Sequence, residues 1–369
     1  MPHTLSILRQ VRPPIMPYTA KRVRALLAHP PSTNAQLEEV LLCDPAATLS
    51  LYRAVARLRR DTVDELTGPA HAVALIGRAA FRQRFDQLPV LEAMPDDPIL
   101  SPAFAYSQAA HAGWYAEQIG RAMGFRHPVE MRVAALLQHP AVLALWISDP
   151  EAAAQATRAV REGTSLHTAF SAALRHPLEA IDRQLALEWD LPRLARELAG
   201  DWDAANRLPR SVALAVRLAA VAAAGWPPED SRQLAATLAE QLPHHRNATA
   251  WWHGQTAAAA RMLAPFGYPL PARELILLPT GEAATEATPP VRSRRLPSGE
   301  ADGRPQNPAS LSVLLVHALQ DLQRQSQTKR ALLVLADRQR HALQTRVATG
   351  WAPDHPVRGL SLPTREKHL

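Results

Sequence analysis

Asp44-Pro45-Ala46-Ala47-Thr48-Leu49, running on through Tyr52-Arg53-Ala54-Val55, decides how this chain of 369 residues folds. Asp44 offers a side-chain oxygen to the free N–H groups of a helix that starts at the next residue. Pro45 has no N–H to lose at that first position, and its fixed φ is already helical. Upstream, Thr33 and Gln36 form a capping box ahead of Leu37, Val40 and Leu41. The same pairing of cap and proline recurs at Ser101-Pro102 and Asp149-Pro150. Gly124, Gly163, Gly200 and Gly225 each close an apolar-periodic stretch, where a left-handed residue is expected just past the helix. About ten to twelve helices joined by short turns are expected between residues 20 and 265, with no strand-like alternation among them. The fold class is all-α, in a domain spanning residues 15–265.

Composition agrees with that reading. The chain is 47% hydrophobic and 20% charged, enough to build a core and unlike a disordered chain. Aromatic residues make up only 5%, while alanine and leucine fill the middle, which favours helices over sheets. The length exceeds one compact domain, so a second segment is expected. A single cysteine, Cys43, excludes an intrachain disulfide and points to a reducing cytoplasm. It sits on an apolar helix face just before Asp44, the setting of an inert thiol. The N-terminus has no apolar core of a signal peptide, and no uncharged apolar run is long enough to span a bilayer. A soluble, unexported protein is expected.

Residues 266–309 read as a Pro-rich linker. Pro279-Thr280-Gly281-Glu282, Pro289-Pro290, Pro297-Ser298-Gly299 and Pro305 stand among too few aliphatic side chains to offset the entropy of ordering. In the segment 310–369, Leu311, Leu314, Leu315, Ala318 and Leu322 mark one amphipathic helix. Residues 330–336 then read as a buried strand, 337–340 as a turn and 342–348 as a second strand.

Lys and Arg number 41 against 34 Asp and Glu, a net +7 that permits contact with nucleic acid or an anionic surface. Nearly all of it is arginine scattered singly through amphipathic stretches. No Gly-rich phosphate loop, H-E-x-x-H or G-x-S-x-G motif occurs. His111 lies on an inward stripe with Phe104, Gln108, Tyr115 and Ile119, as a satisfied core histidine or as a metal ligand or its relic. His139 follows Leu136-Leu137-Gln138 at the end of a buried helix, before Pro140. His244-His245 and His253 are placed to meet at one helix end, without a carboxylate or cysteine at ligand spacing. Trp251-Trp252 reads as a packing pair rather than a platform for stacked bases.

Taken in order, several stretches resemble the HDOD family, the HD-related output domains of bacterial signalling proteins. They are Asp44 to Val55, Thr67 to Gly77, His111 to Ile119, Ala134 to Pro140, His176 to Pro192 and Ala215 to Ala220. The resemblance covers roughly residues 15–245. A working HD phosphohydrolase places a His, a His-Asp pair and a distal Asp around a divalent metal that activates water. On this resemblance His111 occupies the first position, Gln138-His139 the His-Asp pair, and Ala220 (or Ala219, one residue earlier) the distal Asp. Neither carboxylate is present to neutralise a dication.

The resemblance therefore implies a vestigial HD site at His111, Gln138, His139 and Ala220, with no catalytic residue, no metal and no cofactor. His111, Gln138 and His139 are expected to converge, with Ala220 lining the same spot. It implies a non-catalytic bacterial signalling or scaffolding module that binds a protein partner. Two other readings stand beside it: a metal-dependent phosphohydrolase of a nucleotide or cyclic dinucleotide using repurposed histidines, and a basic helical nucleic-acid binder. Lys329 to Arg338 with Leu343 to Gly350 resembles the first two strands of a GAF-like domain, in a segment too short for the complete fold. No cyclic-nucleotide binding is expected of it.

Overall fold

A computed structural model of the chain describes residues 2–268, apart from 59, 92–99, 201, 204, 225, 243 and 246, together with three strands within 331–363. The chain divides into two units, Met1–Ile276 and Leu277–Leu369.

The described part of the first unit is helical, with a single bridge between Ile15 and Val90 in place of any sheet. Its sixteen α-helices are α1 (Pro2–Leu8), α2 (Pro17–Ala28), α3 (Asn34–Leu41), α4 (Pro45–Leu58), α5 (Pro69–Ile76) and α6 (Arg78–Phe85). Then come α7 (Pro102–Ala122), α8 (Pro128–Leu136), α9 (Pro140–Ser148), α10 (Pro150–Arg161) and α11 (Leu166–Leu174). The last five are α12 (Leu178–Glu188), α13 (Arg193–Ala199), α14 (Arg207–Ala223), α15 (Pro228–Gln241) and α16 (Ala248–Leu263). They outnumber the ten to twelve expected because breakers cut long apolar runs into short helices. Pro140 splits α9 from α8, and Gly77, at φ +80°, splits α6 from α5. Helix α1 precedes the expected start at residue 15, and its Leu5 and Leu8 are buried in the core.

The punctuation largely holds. Asp44 Oδ1 accepts from the N–H groups of Ala46 and Ala47, both at 3.0 Å. Asp149 Oδ1 accepts from Ala152 at 3.0 Å, and the Thr33–Gln36 capping box is complete in both directions. Ser101 stands at the start of α7, yet its side chain makes no cap bond there. Gly124 and Gly163 adopt the left-handed conformation, but Gly200 ends α13 at φ −105°. Gly225 lies outside the described residues.

Helix α7 is the central strut, packed against α4, α8, α9, α14 and α16. It approaches α8 closely because Gly120 carries no side chain. A Cβ there would sit 2.5 Å from Met131 Sδ and 3.1 Å from Pro128 Cβ. Long-range hydroxyl bonds brace the unit: Tyr106 donates to the Pro14 carbonyl at 2.9 Å and Tyr115 to Thr256 Oγ1 at 2.7 Å. Tyr268 donates to the Cys43 carbonyl at 2.8 Å. The stretch Pro128–Ser148 is long and apolar enough to pass for a membrane span. It carries Glu130 and Arg132, breaks into α8 and α9, and is mostly buried inside this unit.

The second unit contributes β1 (Ala331–Ala336), β2 (Ala342–Thr349) and β3 (Ser361–Pro363), antiparallel in that order. The first two strands fall where the sequence places them. Their register shifts between Leu333 and Val334, the mark of a bulge. The linker read over residues 266–309 starts too early, since Phe266 and Tyr268 are buried in the core of the first unit. Its remainder over 269–309, the helix expected over 311–322 and the turn at 337–340 lie outside the described residues.

Candidate functional site

The polar site around His139 is built by α12. Asp182 lies on that helix's buried face beside Ile181 and Leu185. Its Oδ1 accepts from the Ala141 N–H at 2.8 Å, and its Oδ2 lies 2.9 Å from His139 Nδ1. His139 is itself the residue before α9 and makes no side-chain cap bond of its own. Asp182 thus caps α9 from another helix and orients the imidazole in the same stroke. With a carboxylate accepting, Nδ1 is assigned a proton. The ring of His167 stands edge-on to His139 with centroids 5.9 Å apart, and its Nε2 is 3.5 Å from Glu179 Oε1.

His111 is fully buried on α7. Its Nδ1 lies 2.8 Å from the Ser107 carbonyl and must donate, which leaves Nε2 as a buried acceptor without a partner. Burial pulls its pKa down to about 4, against a smaller opposing pull from the Ser107 bond, so the ring is neutral. Gln138 Oε1 is also buried without a partner. Ala219 on α14 is fully buried and Ala220 partly so. Helices α7, α8 and α14, which carry or precede these positions, pack against one another. The hydrogen bonds nevertheless lead elsewhere: His139 is tied to α12, and His111 to its own helix. Among the described residues, no three His, Cys, Asp or Glu side chains are grouped as metal ligands would be.

The other singled-out residues are structural. Cys43 is buried, and burial pushes its thiol pKa up to about 11, as suits an inert thiol. Trp252 is fully buried and packs on Trp226 at 4.5 Å. His253 meets Trp226 at 4.8 Å while His245 faces Trp251 at 5.8 Å, so the three terminal histidines form no cluster.

Asp182 was not foreseen, nor was a buried ion network. Glu117 on α7 binds Arg132 Nη1 at 2.8 Å and Arg121 Nη2 at 2.6 Å. Arg132 also donates twice to the Leu42 carbonyl and lies over the Trp114 ring. Burial alone would raise the Glu117 pKa, but the two guanidiniums outweigh it and hold the carboxyl below its usual range. The signal for both was present: a charged residue on an apolar helical stripe must have a partner. A cleft lined by Met123, Arg207, Arg210, Ser211, Glu240 and Gln241 holds about 130 Å³. That falls below the roughly 300–1,000 Å³ of sites for drug-sized ligands.

The profile of the HDOD domain matches residues 14–201, half of the chain. The chain belongs to the HDOD family. The core of this HDOD protein continues beyond the matched span, since α14 and α16 bury Leu218, Ala219, Trp252 and Leu263. A search of the curated proteins gives no match. Among solved structures, the MmoQ response regulator from Methylococcus capsulatus str. Bath is similar at 20% identity and a TM-score of 0.49. That match covers 65% of this chain and 96% of that one. A virulence factor from Campylobacter jejuni subsp. jejuni is 14% identical at a TM-score of 0.47, covering 74% and 99%. A protein designated a phosphohydrolase, from Shewanella amazonensis SB2B, is 18% identical at 0.34, covering 74% and 97%.

Proposed function

We propose that this HDOD protein is a non-catalytic bacterial signal-transduction or scaffolding module that binds a protein partner and carries a degenerate HD site. The observation that carries the reading is the bond between Asp182 and His139. A carboxylate behind a histidine is the usual support for a metal ligand. Here the neighbouring position is Gln138 and the distal one Ala220, so only neutral imidazole nitrogens remain to face a cation. Two neutral nitrogens cannot offset the charge of a dication or hold a hydroxide on it at neutral pH. Asp182 is meanwhile spent on the α9 N-terminus, where its worth is structural. Cys43, buried and hard to ionise, supports a reducing cytoplasm as its home. Strands β1 and β2 are read as the opening of a GAF-like segment.

Metal analysis and turnover test the reading on the full chain. After excess manganese, iron or zinc and desalting, the protein should retain far less than one metal ion per chain. It should hydrolyse neither cyclic dinucleotides nor nucleotides. Retention of one ion per chain that disappears in His111→Ala would restore the phosphohydrolase reading.

A further inference from the structure

The way the backbone is held changes at residue 14. From there on its own peptide groups tie it down. The Pro14 carbonyl accepts from Tyr106, Ile15 bonds to Pro89 and Leu91, and the Met16 N–H donates to Asp44. Over residues 4–13, among the described residues, hydrogen bonds to the rest of the unit come only from two side chains. Arg53 Nη1 donates to the Val11 carbonyl at 3.1 Å and Nη2 to the Arg9 carbonyl at 3.4 Å. Trp189 Nε1 donates to the same Arg9 carbonyl at 3.1 Å, and the Arg53 guanidinium lies 4.9 Å over the Trp189 ring, which sets both donors together. The match to the HDOD profile also begins at residue 14, so α1 lies outside the span that defines the family.

Helix α1 has seven residues, with no acidic residue in its first turn and no basic one in its last. Isolated helices shorter than about 12–15 residues are marginal in water, so α1 is helical because it is docked. It packs on α9 and α12. Leu5 and Leu8, one turn apart, and Val11 beyond them are buried, while Ile7 is 48% exposed. An amphipathic helix lies in an apolar groove in this way. Arg53 and Trp189 then meet carbonyls just past the helix, where no further turn follows to supply donors. A separate helix of the same pattern could make every one of these contacts.

We propose that α1 is a displaceable strap over a helix-binding groove on α9 and α12. A short helix of a partner protein, with apolar side chains at i, i+3 and i+6, docks there in its place and takes over the Arg53 and Trp189 donors. The proposal rests on the scaffolding reading above. It makes α1 an internal competitor: the groove accepts a partner only as often as the strap leaves it.

Hydrogen exchange and a peptide added to the full chain test this. The N–H groups of Arg9 and Val11, bonded to the Leu5 and Leu8 carbonyls, should exchange at least about a hundredfold faster than those in the middle of α7. A fluorescent peptide of residues 1–13 should bind the parent weakly, and Leu5→Ser/Leu8→Ser in the chain should tighten it at least about tenfold. The same peptide with both serines should not bind. Adding Trp189→Phe to the variant chain removes one donor and keeps a ring, and should weaken the peptide about fivefold. Strap amides as slow as those of α7 overturn the proposal, and that measurement needs only the parent. So does a Leu5→Ser/Leu8→Ser chain that stays helical by circular dichroism yet ignores the peptide. A variant that unfolds makes α1 an integral part of the core and overturns it as well. Dimerisation of the parent that the two serines abolish gives the groove to a second copy instead of a partner. Metal retention and turnover on the same sample decide the scaffolding reading separately.

Discussion

Asp44 and Asp182 are both buried carboxylates that cap a helix from its N-terminal end, and they differ in what fills their second oxygen. At Asp44 the answer is backbone: Oδ1 takes Ala46 and Ala47, and Oδ2 takes the Met16 N–H at 2.8 Å. At Asp182 one oxygen takes a backbone N–H and the other an imidazole. A peptide N–H can only donate, whereas an imidazole can move its proton to the other nitrogen. The first aspartate is therefore locked in one chemical form by its neighbours, and the second sits in a pair that can adjust.

The largest test of that difference is Asp44→Ala. It strips three buried N–H groups of their acceptor, at about 1–3 kcal/mol for each one left unsatisfied. Partial relaxation should leave a loss of about 4 kcal/mol in denaturant unfolding. Asp44→Asn should recover only part of it, because its oxygen still accepts from Ala46 and Ala47 while its amide points a donor at the Met16 N–H. Equal stability of Asp44→Asn and the parent would show that the site adapts after all.

His111 extends the comparison to a histidine with no carboxylate behind it. Its pKa is about 4 when folded and 6.5 when free, so the unfolded chain binds more protons between those values. Stability is full above pH 6.5 and falls as the pH drops towards 4, by about 3 kcal/mol in all. Unfolding followed across that window in the parent and in His111→Leu should show a shallower slope in the variant.

Smallest is the contrast at Asp182. Asp182→Ala removes the α9 cap and the imidazole partner together and should cost about 2 kcal/mol. Asp182→Asn should cost under about 1 kcal/mol, since an oxygen still caps α9 while His139 shifts its proton to accept from the amide. NMR of the His139 ring nitrogens should then report the other tautomer. An unchanged tautomer would break the comparison.

The same contrast explains what could be read from sequence. Asp44 announces itself because the cap and the proline are adjacent, and local chemistry alone sets that helix start. Asp182 caps a helix 41 residues upstream. Its only local trace is a carboxylate on the stripe of Leu178, Ile181 and Leu185, which demands a partner but cannot name one. The Glu117–Arg132 pair is hidden for the same reason. Sequence places His139 at the end of a helix but not against α12, because that depends on how two distant helices pack. Ser101 shows the limit from the other side: Pro102 alone fixes that helix start, and the serine hydroxyl is not used as its cap.

The bond from Tyr268 to the Cys43 carbonyl joins positions 225 residues apart. In a chain made from its N-terminus, every partner of that bond but one waits for the last. The span that carries the family's signature, 14–201, is complete while the face of α7 that α16 will cover is still bare. At roughly 5–20 residues per second, the ribosome takes several seconds more to deliver residue 268. Throughout that interval the nascent chain leaves an apolar face of α7 open, the kind of transiently exposed surface that chaperones shield.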